Sequence, residues 1–284
     1  MREFLLSDAI LFRDPLDCLS INLNPNDGEI LSFIIAGLSY GRVEQIKKSS
    51  QNMLEKLRPL GIGPHGEGIA NFLQNENAVK INRVLSVALD GWKHRLNNSR
   101  DLLALFDMLS SALKNCKSLA HMFQKSAHGE PKEQIDRFVL SLRKNAEAKA
   151  IATKPSRTRT WQGTGPQWFA PSPSDGGTCK RLLMWLRWMV RKDEFDRGYW
   201  SDAALLDSQL PKADPKNLFV PVDTHILQWA LREKIISTRS PSWKVVEEIT
   251  NYFRAINPED PLKYDFMLCH LGMSDFRSGL RNTR

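Results

Sequence analysis

Two side chains that could do chemistry together stand where the sequence predicts helix starts. Lys180 follows a segment that reads DGGTC over residues 175–179, and Asp223 precedes the periodic apolar stretch THILQWAL. Glycines before such a stretch, or an Asp directly before it, are typical of a helix N-terminus. An amine and a carboxylate at two helix starts are the groups needed to attack a glycosidic carbon and to stabilise the charge that develops there.

Lys180 is the candidate nucleophile. A lysine attacks only as the free amine. The exposed N–H groups and the dipole of the helix, together with the neighbouring Arg181, disfavour the ammonium form and so favour attack. The alternative is that Lys180 is an ordinary solvated cation. A phosphate bound at the same helix end would also offset part of the effect.

Asp223 is the candidate electrostatic partner, and it also has a structural explanation. Asp is a favoured N-cap because its side chain accepts hydrogen bonds from the first backbone N–H groups of a helix. The same hydrogen bonds hold a carboxylate rigid and ionised, which suits it to stabilise an oxocarbenium-like sugar. Both roles can hold at once. Pro221 stiffens the backbone that leads to this carboxylate.

The helix after Lys180 carries two different faces when residues are placed at about 100° intervals. One face is apolar and predicts core, and it holds Leu182, Leu183, Leu186, Met189 and Val190. The face shared with Lys180 mixes cations with large apolar side chains, and it holds Met184, Arg187, Trp188 and Arg191. A solvated face seldom carries such side chains, so we expect a cleft wall here. The alternative is a surface stripe on which Trp188 packs beneath the arginine stems.

Length and charge bound the class of protein. The chain has 284 residues, of which 42% are hydrophobic, so it can bury a sizeable core as one large domain or as two lobes. Its 40 Lys and Arg residues outnumber 32 Asp and Glu residues, for a formal charge of +8. This excess favours a polyanionic partner such as nucleic acid, although many basic proteins have no such partner.

The cysteines predict neither a metal site nor a cofactor. Cys18, Cys116, Cys179 and Cys269 lie far apart, and no pair has a metal-ligand spacing. Without a signal peptide we expect free thiols in a reducing cytoplasm. The longest apolar stretch, residues 30–38, is interrupted by Ser32 and is too short to span a bilayer. We therefore expect no membrane association.

Apolar residues recur at helical spacing along almost the whole chain, which predicts an all-α fold. The predicted helices cover about residues 28–57, 66–75, 77–90, 99–115, 131–150, 178–192, 200–209, 224–235, 242–256 and 260–272. The clearest break is residues 152–174, a Pro- and Ser-rich segment that carries basic residues beside Trp161 and Trp168. We interpret it as a solvated connection, with a loop that contacts nucleic acid as the alternative.

With these residues identified, the sequence resembles the helix-hairpin-helix DNA glycosylases and abasic-site lyases of base-excision repair. The resemblance is carried by GGTCK at 176–180 and VPVDTHI at 220–226, of which VDTHI is the more specific motif. A bacterial family related to those glycosylases is more similar still. That similarity is carried by SYGR at 39–42, CKR at 179–181, LRWMVR at 186–191, PEDP at 258–261 and KYDF at 263–266.

The resemblance implies a role for each matching residue. Lys180 matches the nucleophile that attacks the sugar C1′, expels the base and can cleave the strand through a Schiff base, and Asp223 matches its transition-state partner. The implied base pocket consists of Tyr40, Met184, Trp188, Asp265 and Cys269. The implied contacts to the DNA backbone are made by Gly176, Gly177, Thr178, Arg187, Arg191 and His225.

The resemblance also implies an architecture and a partner. We expect a bilobal all-α fold in which residues 1–30 and 195–284 form one lobe and residues 31–194 form a central helical lobe, with a cleft between them. The expected enzyme is a monomer that needs no metal or cofactor and acts on damaged or abasic duplex DNA. An oxidised purine is one expected substrate.

Three features depart from the family pattern. The usual hairpin has glycines four and two residues before the lysine, whereas here they lie four and three residues before it and Thr178 takes the second position. Asp223 follows Lys180 by 43 positions, a longer interval than is typical, so we expect an inserted helix near residues 199–208. No cluster-binding cysteines follow Cys269. A nucleic-acid-binding module without catalysis and a helical protein-interaction scaffold are the alternatives.

Overall fold

The computed structural model describes residues 14–20, 22–152 and 166–264, except for the side chains of residues 145–152. This part of the chain is predominantly helical, which confirms the all-α prediction. Its α-helices are α1 (Pro25–Leu38), α2 (Val43–Leu57), α3 (Ile69–Asn75), α4 (Ala78–Ala88), α5 (Ser99–Asn115), α6 (Leu119–Lys125), α7 (Pro131–Ala152), α8 (Pro166–Phe169), α9 (Lys180–Val190), α10 (Thr224–Arg232) and α11 (Trp243–Ile256).

One small antiparallel hairpin interrupts the helices. Its strands are β1 (Lys93–His94) and β2 (Asn97–Asn98), with Lys93 opposite Asn98 and His94 opposite Asn97. The hairpin leads directly into α5, whose start is fixed by a capping box between Asn98 and Asp101. Because both side chains satisfy backbone N–H groups that the helix leaves open, the boundary is sharp.

The structure corrects two of the predicted helices. The single helix predicted over residues 28–57 is two helices, α1 and α2, separated at residues 39–42 where Gly41 has a φ of +97°. A left-handed residue cannot continue a right-handed helix. The helix predicted over 200–209 is only a short 3₁₀ turn, Tyr199–Ser201, followed by bends. The one predicted over 260–272 has turns at 261–264, and its remainder lies outside the described residues.

The core centres on α9, which packs against α1. Every residue from Leu182 to Met189 is buried, and so is almost all of α1. Trp185 shows how tightly the core is filled, since its ring meets Phe33 edge-on at 4.9 Å and stacks on Phe138 at 5.8 Å between ring centroids. On the other side of the core, α5 packs against α3, α4 and α7. This packing fixes the axis of α9 and therefore the position of Lys180 at its start.

Two buried carboxylates on α1 hold the starts of other helices. Asp27 accepts hydrogen bonds from the N–H groups of Gly68 at 2.8 Å and Ala70 at 2.9 Å, at the start of α3. Glu29 accepts them from Leu119 at 2.7 Å and Ala120 at 2.8 Å, at the start of α6. Such carboxylates satisfy backbone donors that would otherwise be buried without a partner. Burial raises the pKa of Glu29 to about 7, although these hydrogen bonds favour its ionised form.

Candidate functional site

A cavity of about 670 Å³ lies beside the starts of two helices, α9 and α10. Lys180 and Asp223 both line it, although 43 positions separate them in sequence. Groups that act on one substrate must reach one space, so this shared cavity is the first requirement of a common site. The volume falls in the range of pockets that hold small ligands, which is roughly 300 to 1,000 Å³.

Lys180 is positioned by tight backbone turns before α9. Two residues in these turns have a positive φ. Gly176 ends the 3₁₀ turn Pro173–Asp175 with a φ of +82°, and Cys179 precedes α9 with a φ of +49°. Cys179 makes no side-chain hydrogen bond to the helix start. Lys180 is the first helical residue and is partly exposed, and its amine has no hydrogen bond or ion pair with the described residues. The first N–H groups of α9 are therefore not satisfied by a side-chain cap.

One ion pair holds in place the hairpin before α9, which consists of residues 175–179. Arg143 donates to Asp175 at 2.6 Å and to the carbonyl of Ala170 at 2.7 Å. Partial burial by itself would raise the pKa of Asp175, but the hydrogen bonds from Arg143 and from the N–H of Ser172 outweigh it and lower that pKa. On the far side, the N–H of Trp243 donates to the carbonyl of Gly176 at 2.9 Å. The start of α11 is thus tied to the same hairpin.

Asp223 is positioned by the helix that it caps. One of its carboxylate oxygens accepts hydrogen bonds from the N–H groups of His225 at 2.8 Å and Ile226 at 2.9 Å. The side chain is partly exposed and borders the cavity. The chain that leads to it is anchored too, because the N–H of Val220 donates to the Thr250 hydroxyl at 3.0 Å. The N-cap explanation of Asp223 is confirmed, and a carboxylate held this way has a fixed direction.

Arg181 adds positive charge to the cavity wall beside Lys180. It is mostly buried, its guanidinium stacks over the ring of Trp168 at 4.2 Å, and it donates to the carbonyl of Trp168 at 2.7 Å and to that of Gly37. None of the described carboxylates forms an ion pair with it. Burial lowers the pKa of Arg181 to about 10, which leaves it charged at neutral pH. A buried cation without a carboxylate makes the adjoining cavity attractive to anions.

Tyr40 forms the neighbouring part of the wall. Its hydroxyl donates to the carbonyl of His94 at 2.9 Å and also bonds to Asn97, which links the cavity to the β1–β2 hairpin. Its ring lies edge-on to Trp168 with the centroids 5.4 Å apart. Partial burial raises the pKa of Tyr40. The structure therefore brings Tyr40 to the same cavity as Lys180, Asp223 and Met184.

The expected cleft wall on α9 holds for Met184 and Arg187, which line the cavity, but it is wrong for Trp188 and Arg191. Trp188 is fully buried and is not among the residues that line the cavity. The segment after α9 folds back over this face, as shown by the N–H of Gly198 donating to the carbonyl of Trp188 at 3.0 Å. A surface stripe, the alternative, is equally excluded by this burial. A helix that is covered on both faces belongs to the middle of the core.

Arg187 and Arg191 are held in ion pairs instead of facing solvent. Arg187 contacts Asp14 at 3.0 Å and Asp196 at 3.1 Å, and Arg191 contacts Asp196 and, at 3.0 Å, Asp260. Both arginines are buried. The prediction that they bind DNA phosphates therefore conflicts with their burial. Gly176 and Gly177 are exposed, Thr178 and His225 are partly exposed, and the last two line the cavity.

Two predicted pocket residues, Asp265 and Cys269, lie outside the described residues. Asp14 and Arg181, by contrast, line the cavity although sequence reasoning did not assign them to it. Arg181 could have been suggested by its place next to Lys180. No local signal marks Asp14, which lies 166 positions before Lys180.

The described residues contain no group of three or more His, Cys, Asp or Glu side chains that could hold a metal ion. Cys18, Cys116 and Cys179 are free thiols. Burial raises the pKa of the Cys179 thiol to about 12, so this residue beside Lys180 stays a neutral thiol at physiological pH. Among the helices of the described part, none is long and apolar enough to cross a membrane.

Comparison with known proteins places the chain in one family. A family model described as a protein of unknown function (DUF2400) matches residues 14–274, which is most of the chain. No curated protein and no solved structure matches it. The match includes every residue of the cavity wall described above, from Asp14 to Asp223. The chain belongs to the DUF2400 family.

Proposed function

We propose that this protein is a DNA glycosylase with abasic-site lyase activity, in which Lys180 is the nucleophile and Asp223 its electrostatic partner. The observation that carries the proposal is that an amine without a described partner and a carboxylate fixed by two backbone N–H groups border one cavity. These are the two groups that substitution at a sugar C1′ requires.

The proposed reaction begins when a damaged nucleotide is flipped out of the duplex into the cavity. The lone pair of the Lys180 amine forms a bond to C1′ while the glycosidic bond breaks, and the base leaves with the electron pair of the broken glycosidic bond and takes up a proton. Asp223 stabilises the positive charge that builds on the sugar ring. Loss of a proton from the lysine nitrogen and opening of the ring then give the Schiff base from which the strand is cleaved.

The origin of the cavity wall supports the bilobal arrangement that we propose. All four of Asp14, Asp223, Tyr40 and Lys180 line the cavity. In the proposed division, the first two belong to the lobe of residues 1–30 and 195–284 and the last two to the lobe of residues 31–194. A cleft lined from both sides is where substrates commonly bind. The formal charge of +8 and the buried Arg181 suit a polyanionic substrate, and we place the activity on cytoplasmic DNA.

Borohydride trapping tests the proposal. Reduction of a Schiff base should link the wild-type protein covalently to a duplex that contains an abasic site, and Lys180→Gln should abolish this product. Lys192→Gln, which changes an exposed lysine just beyond the other end of α9, should trap like the wild type. If Lys180→Gln traps as well as the wild type, Lys180 is not the nucleophile.

DNA binding separates the enzyme from a module that only binds nucleic acid. Affinity for duplex DNA should fall steeply between low and high salt, because a basic protein displaces several counterions from the phosphates. Fluorescence anisotropy across a salt series measures this. Salt-dependent binding without trapping, and without base release from a broad panel of lesions, would favour the non-catalytic module. Absence of binding at low salt would contradict both functions.

A further inference from the structure

An ion pair between Asp14 and Arg187 forms part of the cavity wall, and the proposed reaction does not use it. Both residues line the cavity that holds Lys180 and Asp223. One oxygen of Asp14 accepts a hydrogen bond from the N–H of Leu16 at 2.8 Å, and the other accepts one from Arg187 at 3.0 Å. The Asp14 side chain is 13% exposed. These two hydrogen bonds hold the carboxylate in one orientation at the edge of the cavity.

The residues around Asp14 in the cavity wall suit the recognition of a ligand by a fixed carboxylate. Much of the rest of the wall is apolar, with Val43, Ile46, Met184, Val222 and Ile226 among its residues. In such pockets a few fixed polar groups orient the ligand and select it. A carboxylate has about four acceptor positions, and among the residues that the structure describes only Leu16 and Arg187 donate to it, which fills two of them. An ionised carboxylate can only accept hydrogen bonds, so its ligand must offer a donor.

We propose that Asp14 selects the flipped base by accepting a hydrogen bond from a ring N–H on its Watson–Crick edge. This inference rests on the proposed function, because it places a base in the cavity beside Lys180 and Asp223. The substrate class is then bases that carry such a donor, as hypoxanthine and uracil do. Methylation of that nitrogen removes the donor and puts a methyl group against a charged oxygen, which leaves the carboxylate unpaired. Arg187 acts by holding Asp14 in place.

The test compares Asp14→Asn with Asp260→Asn. Asp260 is the closest match in the described structure, because it pairs with Arg191, four residues after Arg187 at the end of α9, is 25% exposed and does not line the cavity. The measured quantity is the ratio of base release to borohydride trapping on abasic DNA, which contains no base to select. Asp14→Asn should lower this ratio by roughly 10-fold or more, as expected when a buried hydrogen bond to a charged group is lost. Asp260→Asn should change it by less than about two-fold.

Free bases provide a second measurement that does not depend on catalysis. Hypoxanthine and 1-methylhypoxanthine form one matched pair, and uracil and 3-methyluracil form another. Titration calorimetry with the full chain should show preference of roughly 10-fold or more for the unmethylated member of at least one pair, and Asp14→Asn should remove that preference. Equal binding within both pairs, or a preference that survives in Asp14→Asn, would overturn the proposal.

The release ratio and the titrations distinguish failure of the proposed reaction from failure of the role proposed for Asp14. If the protein neither traps abasic DNA nor releases any base, the proposed reaction fails, and the titrations still decide whether Asp14 selects an N–H donor. If trapping depends on Lys180 but Asp14→Asn and Asp260→Asn lower the release ratio equally, the reaction stands and Asp14 has no role in selection. Thermal melts of both variants show whether either loss reflects unfolding.

Discussion

The starts of α9 and α10 border the same cavity, but they satisfy their backbone donors in opposite ways. At α10, Asp223 places its own carboxylate on the first N–H groups. At α9, Cys179 occupies the cap position in a left-handed conformation and its side chain accepts no hydrogen bond from the helix, and the first residue is the cation Lys180. Both helices present positive dipole ends. One end is filled by the protein itself, and the side chain at the cap position of the other makes no hydrogen bond to the helix.

The largest effect on activity should come from a substitution of Asp223, which caps the start of α10. Asp223→Asn should lower base release by roughly 10²- to 10³-fold, as loss of a preorganised electrostatic group usually does. It should leave stability nearly unchanged, because Asn caps a helix about as well as Asp. Asp223→Ala should lose the same activity and also about 1 kcal/mol of stability. Single-turnover kinetics and urea denaturation measure the two effects. An Asn variant with full activity would reduce Asp223 to a cap.

The start of α6 sharpens the comparison, because the Glu29 carboxylate that holds it is fully buried, whereas Asp223 is partly exposed. Burial raises the pKa of Glu29 to about 7 from 4.5. The folded state therefore binds this proton more tightly than the unfolded chain, and the contribution of Glu29 to stability falls as pH rises from about 4.5 through 7. The loss should be on the order of 3 kcal/mol.

Urea denaturation of the wild type and of Glu29→Gln at several pH values measures this loss. The variant does not titrate at this position, so the difference in free energy of unfolding between the two proteins should change with pH in the direction stated. Pairing with the variant cancels the titration of all other groups. A difference that is constant from about pH 4.5 to 8 would show that the hydrogen bonds to Glu29 from Leu119, Ala120 and Trp200 offset or outweigh its burial.

The hairpin before α9 should show a smaller effect. Gly176 has a φ of +82°, and a Cβ there would meet no neighbour within 4 Å. Gly176→Ala should therefore cost about 1 to 2 kcal/mol from backbone strain alone. Gly177 is the matched control, since its φ is not positive and its surroundings are equally open. Gly177→Ala should be neutral or slightly stabilising. Equal losses of stability in Gly176→Ala and Gly177→Ala would contradict the positive φ of Gly176.

The smallest effect should be that of Lys180→Gln on stability. The amine has no partner among the described residues, and a cation at a helix N-terminus is mildly unfavourable. Its removal should change the free energy of unfolding by no more than about 0.5 kcal/mol, with the variant the more stable. Urea denaturation measures this directly. A loss above about 1 kcal/mol would mean that the fold itself holds the amine.

A helix is predicted correctly from the sequence when the interactions that define it are local, and incorrectly when they come from distant residues. The helix predicted over residues 99–115 has the same bounds in the structure, because its periodicity and its capping box are local. The helix predicted over 200–209 is wrong, since Trp200 is buried beside Glu29 and donates to it at 2.6 Å across 171 positions. The short helix α6 went unpredicted, and its start is likewise held by Glu29.

The sequence by itself determined that Lys180 and Asp223 stand at helix starts, because glycine turns, N-caps and periodicity act over a few residues. Only the tertiary structure decided that both border one cavity, that Asp14 joins them, and that Trp188, Arg187 and Arg191 are buried. Helical periodicity shows which side chains share a face, but it carries no information about which distant segment covers that face. On α9 the covering segments are the chain around Asp14 and the chain around Asp196, and their carboxylates neutralise the two arginines.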